Sequence, residues 1–422
     1  MPTENVILFD KNPPGSIVIV DPGGSSGYWY RSIRRRFLNT KIVVVWSSST
    51  IMEANQWKII HNETSDYEYL DDNKLIDNLK GHEPIHAIFA CGDTGISVVD
   101  QLRMVFTPSK CNDAATATVR TDKYSLYQHL KKTNLIKTNQ WLIDKNNLDQ
   151  GSILWDQIYI IKPLHGSGGE NFATITNENE LIQYLNKPSF HRWFILQEKV
   201  YGTEFSIDMV SQAGRHHLFA IWKYTKNTNS HVKDEVDLIR LPSEGHKVTN
   251  LIVDYVRKIL DSIGLKFGPS HTEVMVTKDG DINLIEVNLR LHGHLDEDIQ
   301  RRIFITSQPE LALLATNDNI HLSGTNYSFL TKANLKKIFC NNKIEQYIEK
   351  INWEDISKLA NSNWCRIYKS NYLIPNVVKP TSCVQNCLGV IMLIQTSNDD
   401  LWHKEIAALR IWKEQLTNNS FI

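Results

Sequence analysis

The stretch from His271 to Arg290 limits the fold of this chain more than any other. Asp279-Gly280 stands between two runs that alternate apolar and polar residues, which is a strong short-range signal for a β-hairpin. A two-residue turn there sets Lys278 against Asp281, Val274 against Ile285, Glu273 against Glu286 and His271 against Asn288. Side chains alternate across a strand, so Glu286, Asn288 and Arg290 share one face. Val274, Val276, Ile285, Val287 and Leu289 line the other face, where they can bury against a core. This register puts two carboxylates opposite each other, with Cβ atoms about 4.5–5.5 Å apart. Like charges so placed repel, and a divalent cation between them turns repulsion into coordination. Mg²⁺ takes oxygen ligands and commonly uses one or two carboxylates together with substrate phosphates. Asn288 adds a neutral oxygen, so Glu273, Glu286 and Asn288 are the expected metal ligands, for Mg²⁺ or alternatively Mn²⁺. The plainer alternative is a solvated polar face with two unrelated acids. A three-residue turn would shift the register.

Two further constellations lie upstream. Tyr159-Ile160-Ile161-Lys162-Pro163 is a strand that delivers a lysine into His165-Gly166-Ser167-Gly168-Gly169. Glycines let backbone N–H groups approach phosphate oxygens, and a lysine adds a point charge. A glycine-rich hairpin loop explains the same residues equally well. Next, an apolar strand ending at Leu196 runs through Gln197, Glu198 and Val200 to Gly202, Glu204 and a second strand reaching Asp208. Such a hinge can offer backbone groups to a purine edge and a carboxylate to ribose hydroxyls. A solvated connection is the plainer reading.

The N-terminal part alternates strand and helix. Ser16 to Val20, Lys41 to Trp46 and Ile85 to Cys91 are short apolar, β-branched runs of the kind found in buried parallel sheets. The glycines at 23–27 lack the GxGxxG spacing of a dinucleotide loop, so they read as a strand-to-helix turn before a helical Tyr28 to Phe37. Asp122 can cap a helix over Lys123 to Lys132, and Val248 to Ile263 has helical spacing with Leu251, Ile252, Tyr255, Val256, Ile259 and Leu260 on one face. An amphipathic helix is expected near Trp402 to Leu416.

Composition narrows the function classes. At 422 residues the chain needs more than one domain. Lys and Arg number 46 against 47 Asp and Glu, which argues against a general nucleic-acid binder. No apolar run reaches the ~18 residues of a membrane span. Six cysteines without a CxxC indicate a reduced, cytoplasmic setting.

The order of these motifs resembles the ATP-grasp superfamily. More narrowly, it looks like the carboxylate–amine ligases of the bacilysin and dapdiamide type, over roughly residues 16–300. The resemblance implies a mixed α/β and α+β fold. Its parts would be an N-terminal Rossmann-like domain over 1–112, a small lid over 113–198, and a larger antiparallel subdomain with the metal hairpin over 199–310. A C-terminal extension over 311–422 would pack on it. It implies ATP as cofactor, with Lys123 and Lys162 on the phosphates and His165, Gly166, Ser167, Gly168 and Gly169 as a flexible loop above them. Gln197, Glu198 and Val200 would line the adenine pocket, and Glu204 would bind the ribose. Arg290 would sit against an acyl phosphate and act with Lys162 as catalytic residue. Asp93, His271, His292, Gly293 and His294 would touch the substrates, a carboxylate and an amine, both amino acids or their derivatives. Many relatives carry a glutamate where Asp93 stands and a Gly-Gly pair where Leu291-His292-Gly293-His294 stands, which affects specificity rather than ATP use. A homodimer is the default assembly. A bicarbonate-activating carboxylase and a non-catalytic nucleotide-binding module stay as alternatives.

Overall fold

A computed structural model of the chain describes residues 15–22, 26–47, 65–147, 153–164, 172–188, 191–226, 235–240, 247–293, 295–322, 334–340, 346–348, 365–369, 376–378, 389–394 and 407. The expected helix near Trp402 to Leu416 lies outside them, apart from residue 407, and so do His165 to Gly169, Gly23 to Ser25 and His294.

The β-branched N-terminal runs form a parallel four-stranded sheet. Its strands are β1 (Ser16–Val20), β2 (Lys41–Trp46), β3 (Tyr67–Leu70) and β4 (Ile85–Ala90), in the order β3-β2-β1-β4. β1 and β2 bury nearly every side chain, as a sheet covered on both faces must. A helix follows β1 at Ser26–Arg36, as the sequence indicates.

A small antiparallel sheet holds β5 (Gln140–Asp144), β6 (Tyr159–Pro163), β7 (Ala173–Ile175) and β8 (Trp193–Glu198), in the order β5-β8-β6-β7. It has its own core of Ile143, Tyr159, Ile161, Leu181, Phe194 and Leu196.

The largest sheet is antiparallel and eight-stranded. It is built from β9 (Thr203–Gln212), β10 (Arg215–Lys226), β11 (Glu235–Arg240), β12 (Gly268–Val276), β13 (Ile282–Asn288), β14 (Asn334–Cys340), β16 (Cys365–Lys369) and β18 (Gly389–Ile394). Their order is β13-β12-β9-β10-β11-β14-β18-β16. β15 (Gln346–Ile348) and β17 (Asn376–Val378) pair separately. The C-terminal segment thus contributes strands to the main sheet itself. The boundary expected at 310/311 falls inside the helix Gln308–Leu314.

The two faces of the large sheet differ. Ile207 and Met209 of β9 and Val274 of β12 bury against the helix Lys247–Ser262 through Ile252, Val256, Ile259 and Leu260, and share that core with Val18, Val20 and Ile88 of the parallel sheet. Leu251, expected on that helix face, is half exposed, and Val253 is buried instead. The opposite face carries the polar residues of β9, β12 and β13.

The hairpin reaches its expected pairing by an unexpected route. Glu273 does face Glu286, and His271 faces Asn288. The turn, however, has three residues: Thr277 N donates to Asp281 O, and Gly280 takes a φ of 87°. That is a common hairpin loop with glycine in the left-handed position. Val274 consequently pairs with Leu284 rather than Ile285. A bulge at Ile285 then absorbs the extra residue and restores the register at Glu286. Leu284 therefore takes the place in the core that the two-residue turn assigned to Ile285.

Candidate active site

One face of the large sheet collects the site in two rows. Glu286 of β13, Glu273 of β12, Ser206 of β9 and Trp222 of β10 lie side by side. Asn288, His271 and Asp208 form the neighbouring row on β13, β12 and β9. Glu204 lies on the same face of β9, opposite Met275. This is the consequence of alternation: Glu204, Ser206 and Asp208 point one way, while Phe205, Ile207 and Met209 fill the core on the other.

Cations approach from three directions. Asp122 accepts from Ser125 N at 2.6 Å and caps the helix Lys123–Lys132. Lys123 at its first turn puts Nζ 3.6 Å from Glu286 Oε1. Lys162 comes from β6 of the small sheet. Burial pushes its amine below the ordinary lysine value, Lys123 adds to that, and Glu286 and Glu273 pull the other way. The small sheet and the hairpin therefore bring Lys162, Lys123 and the paired carboxylates within electrostatic range. Arg290 arrives just beyond β13, with Nε 3.2 Å from Asp93 Oδ1 in the turn Asp93–Gly95 after β4. Burial acts against its charge, but Asp93, Glu286 and Glu273 outweigh this and raise its value.

The opposed carboxylates, with the Asn288 amide beside them, are hard oxygen donors of the kind Mg²⁺ or Mn²⁺ takes. Lys123, Lys162 and Arg290 stand around the two acids as charges a bound polyphosphate can meet.

At the hinge, Gln197 is buried on β8, and Glu198 accepts from Asn139 N at 2.8 Å and Asn139 Nδ2 at 2.6 Å. Val200 lies in the link between β8 and β9, half-buried. Lys199 N donates to Ile158 O, so this link is tied to the strand that carries Lys162.

Residues that drew no attention in the sequence complete the face. Asp208 is fully buried and accepts from His271 Nδ1 at 2.7 Å, His292 Nδ1 at 3.0 Å and Trp222 Nε1 at 3.0 Å. Tyr224 O–H and Lys337 Nζ lie 3.2 and 3.4 Å from His292 Nε2. The alternation through Asp208 was a usable signal for that residue. Nothing near Lys337 pointed to it, because β14 joins the sheet only through long-range pairing. His271 Nε2 lies 3.2 Å from Glu273 Oε1, so each ring nitrogen of His271 meets a carboxylate and both must carry protons. Although burial opposes its charge, the bonds to Asp208 and Glu273 raise its value to about 9. His292 is pushed down to about 3 by burial, which outweighs Asp208, so it donates from Nδ1 and accepts at Nε2. The same contacts hold Asp208 well below the usual carboxylate range despite its burial.

His271 and His292 are both buried and held in the protein's own hydrogen bonds. An added Cβ at Gly293 would meet Arg290 Nη1 at an ordinary 3.7 Å. Asp208, His271 and His292 bring ligand atoms within 4.8 Å of one another, yet hydrogen bonds account for this cluster without an ion. Asp296, Glu297 and Asp298 open the helix Glu297–Ile303 and pair with Arg31 and Arg35, which is a structural role.

This architecture and this constellation resemble those of the ATP-grasp class, and residues 158–298 match the ATP-grasp domain family. The similarity extends to the carboxylate–amine ligase branch. Dapdiamide A synthase of Enterobacter agglomerans is 23% identical over 247 residues, 55% of this chain and 57% of that protein. The match thus spans little more than half of that relative's length. The fold is similar to the L-amino acid ligase from Bacillus licheniformis, with a TM-score of 0.70 at 14% identity and 97% of both chains covered. It is also similar to a carboxyaminoimidazole ribonucleotide synthase from Aspergillus clavatus complexed with ATP, with a TM-score of 0.67 at 13% identity, covering 95% of this chain and 99% of that one. Among the described residues no helix is long and apolar enough to cross a membrane.

Proposed function

We propose that this protein is an ATP-dependent carboxylate–amine ligase that joins an amino acid or acyl-amino acid to a second amino acid through an acyl phosphate. The observation that carries the reading is the pairing of Glu273 with Glu286 beneath three converging cations, Lys123, Lys162 and Arg290. Phosphoryl transfer needs such positioning and charge neutralisation rather than a protein nucleophile.

In this reading a substrate carboxylate oxygen attacks the γ-phosphorus of ATP and ADP departs. The amine then attacks the acyl carbon, and inorganic phosphate leaves. Lys162 and Lys123 hold the phosphates in line and offset the charge on the transferred group. Glu273, Glu286 and Asn288 would hold Mg²⁺, which would supply further charge neutralisation for phosphoryl transfer. Arg290 exchanges its contact with Asp93 for the acyl phosphate, so Asp93 becomes available to the substrate's amino group. Gln197, Glu198 and Val200 line the adenine, and Glu204 meets the ribose. Dipeptide or peptide natural-product biosynthesis is the natural setting for such a reaction.

The decisive experiment is a screen of amino-acid pairs for release of ADP and phosphate. Release should require the carboxylate donor and should accelerate with the amine, and hydroxylamine should trap a hydroxamate. AMP and pyrophosphate as products would refute the acyl-phosphate route. The likeness to carboxyaminoimidazole ribonucleotide synthase favours a second reading, bicarbonate activation. It predicts turnover with bicarbonate in the absence of any amino acid.

A further inference from the structure

We propose that His271 is a positioning residue, a strut that fixes the orientation of Glu273 by linking it to the buried Asp208. The proposal rests on the reading of Glu273 and Glu286 as metal ligands and adds the device that aims one of them.

The strut starts from an immobile base. Asp208 lies in the middle of the sheet, fully buried on β9, with β12 on one side and β10 on the other. Its Oδ1 accepts from His271 Nδ1, and its Oδ2 accepts from His292 Nδ1 and Trp222 Nε1. With both oxygens committed to three donors from different elements, this carboxylate has no alternative rotamer that keeps its bonds. The plane of the His271 ring is set by its Nδ1 bond and by the ring of His292, whose centroid lies 4.1 Å away. His292 is held in turn by Tyr224 of β10 and Lys337 of β14 at its far nitrogen, and its backbone N–H donates to Gln308 Oε1 at 3.1 Å.

That leaves one direction for His271 Nε2, and it meets Glu273 Oε1 at 3.2 Å. Residues 271 and 273 share a strand face, so the bond runs along β12 and restrains the Glu273 side chain. Glu273 needs this because it stands directly opposite Glu286. Like charges so placed repel. A donor on the far side of Glu273 keeps it aimed across the hairpin in the absence of metal. Groups that orient a metal-ligating carboxylate from behind are typically worth about 10- to 100-fold in metal affinity.

The test uses the full chain with Mn²⁺ as probe, the free ion being counted by its paramagnetic resonance signal, with and without ADP. Wild type is compared with His271→Ala, His271→Gln and Glu273→Gln. Thermal unfolding and ADP binding in the absence of metal serve as controls. His271→Ala should weaken Mn²⁺ binding about tenfold or more, while metal-free ADP binding stays at the wild-type value. His271→Gln, which can reach only one carboxylate at a time, should fall between. If the alanine variant does not fold, the glutamine variant decides alone. Mn²⁺ affinity within about twofold of wild type in the His271 variants, a change below the range such orienting groups produce, overturns the strut if Glu273→Gln loses the ion. Undiminished Mn²⁺ binding in Glu273→Gln overturns the metal site itself, and the strut with it.

Discussion

Lys162 shows how a single side chain is prepared for work by where it stands. Its strand belongs to the small sheet, but its amine is poised against carboxylates on the large one. Replacing it with alanine should lower ADP release about 100-fold or more, the scale of removing one preorganised donor from a phosphoryl or acyl site. A steady-state assay of ADP production checks this, and activity within a few-fold of wild type would remove Lys162 from the chemistry. His292 supports a different prediction, in stability. Its value in the folded protein is depressed to about 3, because burial outweighs the attraction of Asp208, against roughly 6.5 in an unfolded chain. The unfolded state therefore takes up a proton first as pH falls. The stability contribution is fully present above about pH 6.5 and is lost progressively toward pH 3, by at most about 1.4 kcal/mol per pH unit. Urea midpoints of wild type and His292→Gln measured between pH 7 and 5 should converge on acidification. Parallel curves would show that His292 is not held neutral.

At the scale of the element, the hairpin of β12 and β13 is the most informative piece. A close reading of Asp279-Gly280 predicts the facing carboxylates, and the structure has them, but by way of two deviations that cancel. The turn is one residue longer than assumed, and the bulge at Ile285 removes the offset. Sequence patterning could not reveal this, because both arrangements put acids on one face and apolar residues on the other from Glu286 onward. The joint between β8 and β9 is equally dependent on close approach. A Cβ at Gly202 would lie 2.1 Å from the carbonyl oxygen of Val276 at the end of β12. Gly202→Ala must therefore push the hinge away from the hairpin, which should destabilise the fold by about 1–3 kcal/mol. It should also raise the KM for ATP, since Glu198, Val200 and Glu204 flank the displaced segment. Urea unfolding and initial rates test both parts, and an alanine variant with wild-type stability would mean that the backbone yields freely there.

Across the whole molecule, the parallel sheet and the large antiparallel sheet share a core and are tied by buried arginines. Arg103 donates to Ile88 O at 2.7 Å and to Phe267 O at 2.9 Å, which joins β4 to the start of β12. Arg120 binds Asp100 at 2.7 Å and Ile263 O at 2.9 Å, fastening the helix Ile96–Phe106 to the end of the helix Lys247–Ser262. Elsewhere Arg35 and Arg36 reach Glu297 and Glu310. Removing one member of a buried ion pair leaves its partner uncompensated, so Arg120→Met should lower stability by about 3 kcal/mol. Nucleotide affinity should hold at temperatures where the variant is folded. Chemical unfolding alongside ADP titration separates these effects, and a neutral substitution would show that the apolar cores alone hold the two parts together. The contact of Asp93 with Arg290 spans the same junction, so the docking of the parallel sheet also sets one wall of the site.

Local chemistry by itself determined the strand runs, the Asp122 cap, the hairpin with its paired acids, and the order of motifs from Lys123 to Arg290. Each depends on residues a few positions apart, where alternation and turn chemistry dominate. Long-range packing decided the rest. It chose Leu284 over Ile285 for the core and turned Leu251 outward. It drew β14 from the C-terminal segment into the main sheet and buried Lys337 beside His292. It also made His271 and His292 partners of Asp208, a residue distant from both in the chain. Whether a histidine meets a ligand or a buried carboxylate depends on which strand lies next to it, and strand neighbours far apart in sequence are set by the burial of whole sheet faces, not by the spacing of residues along the chain.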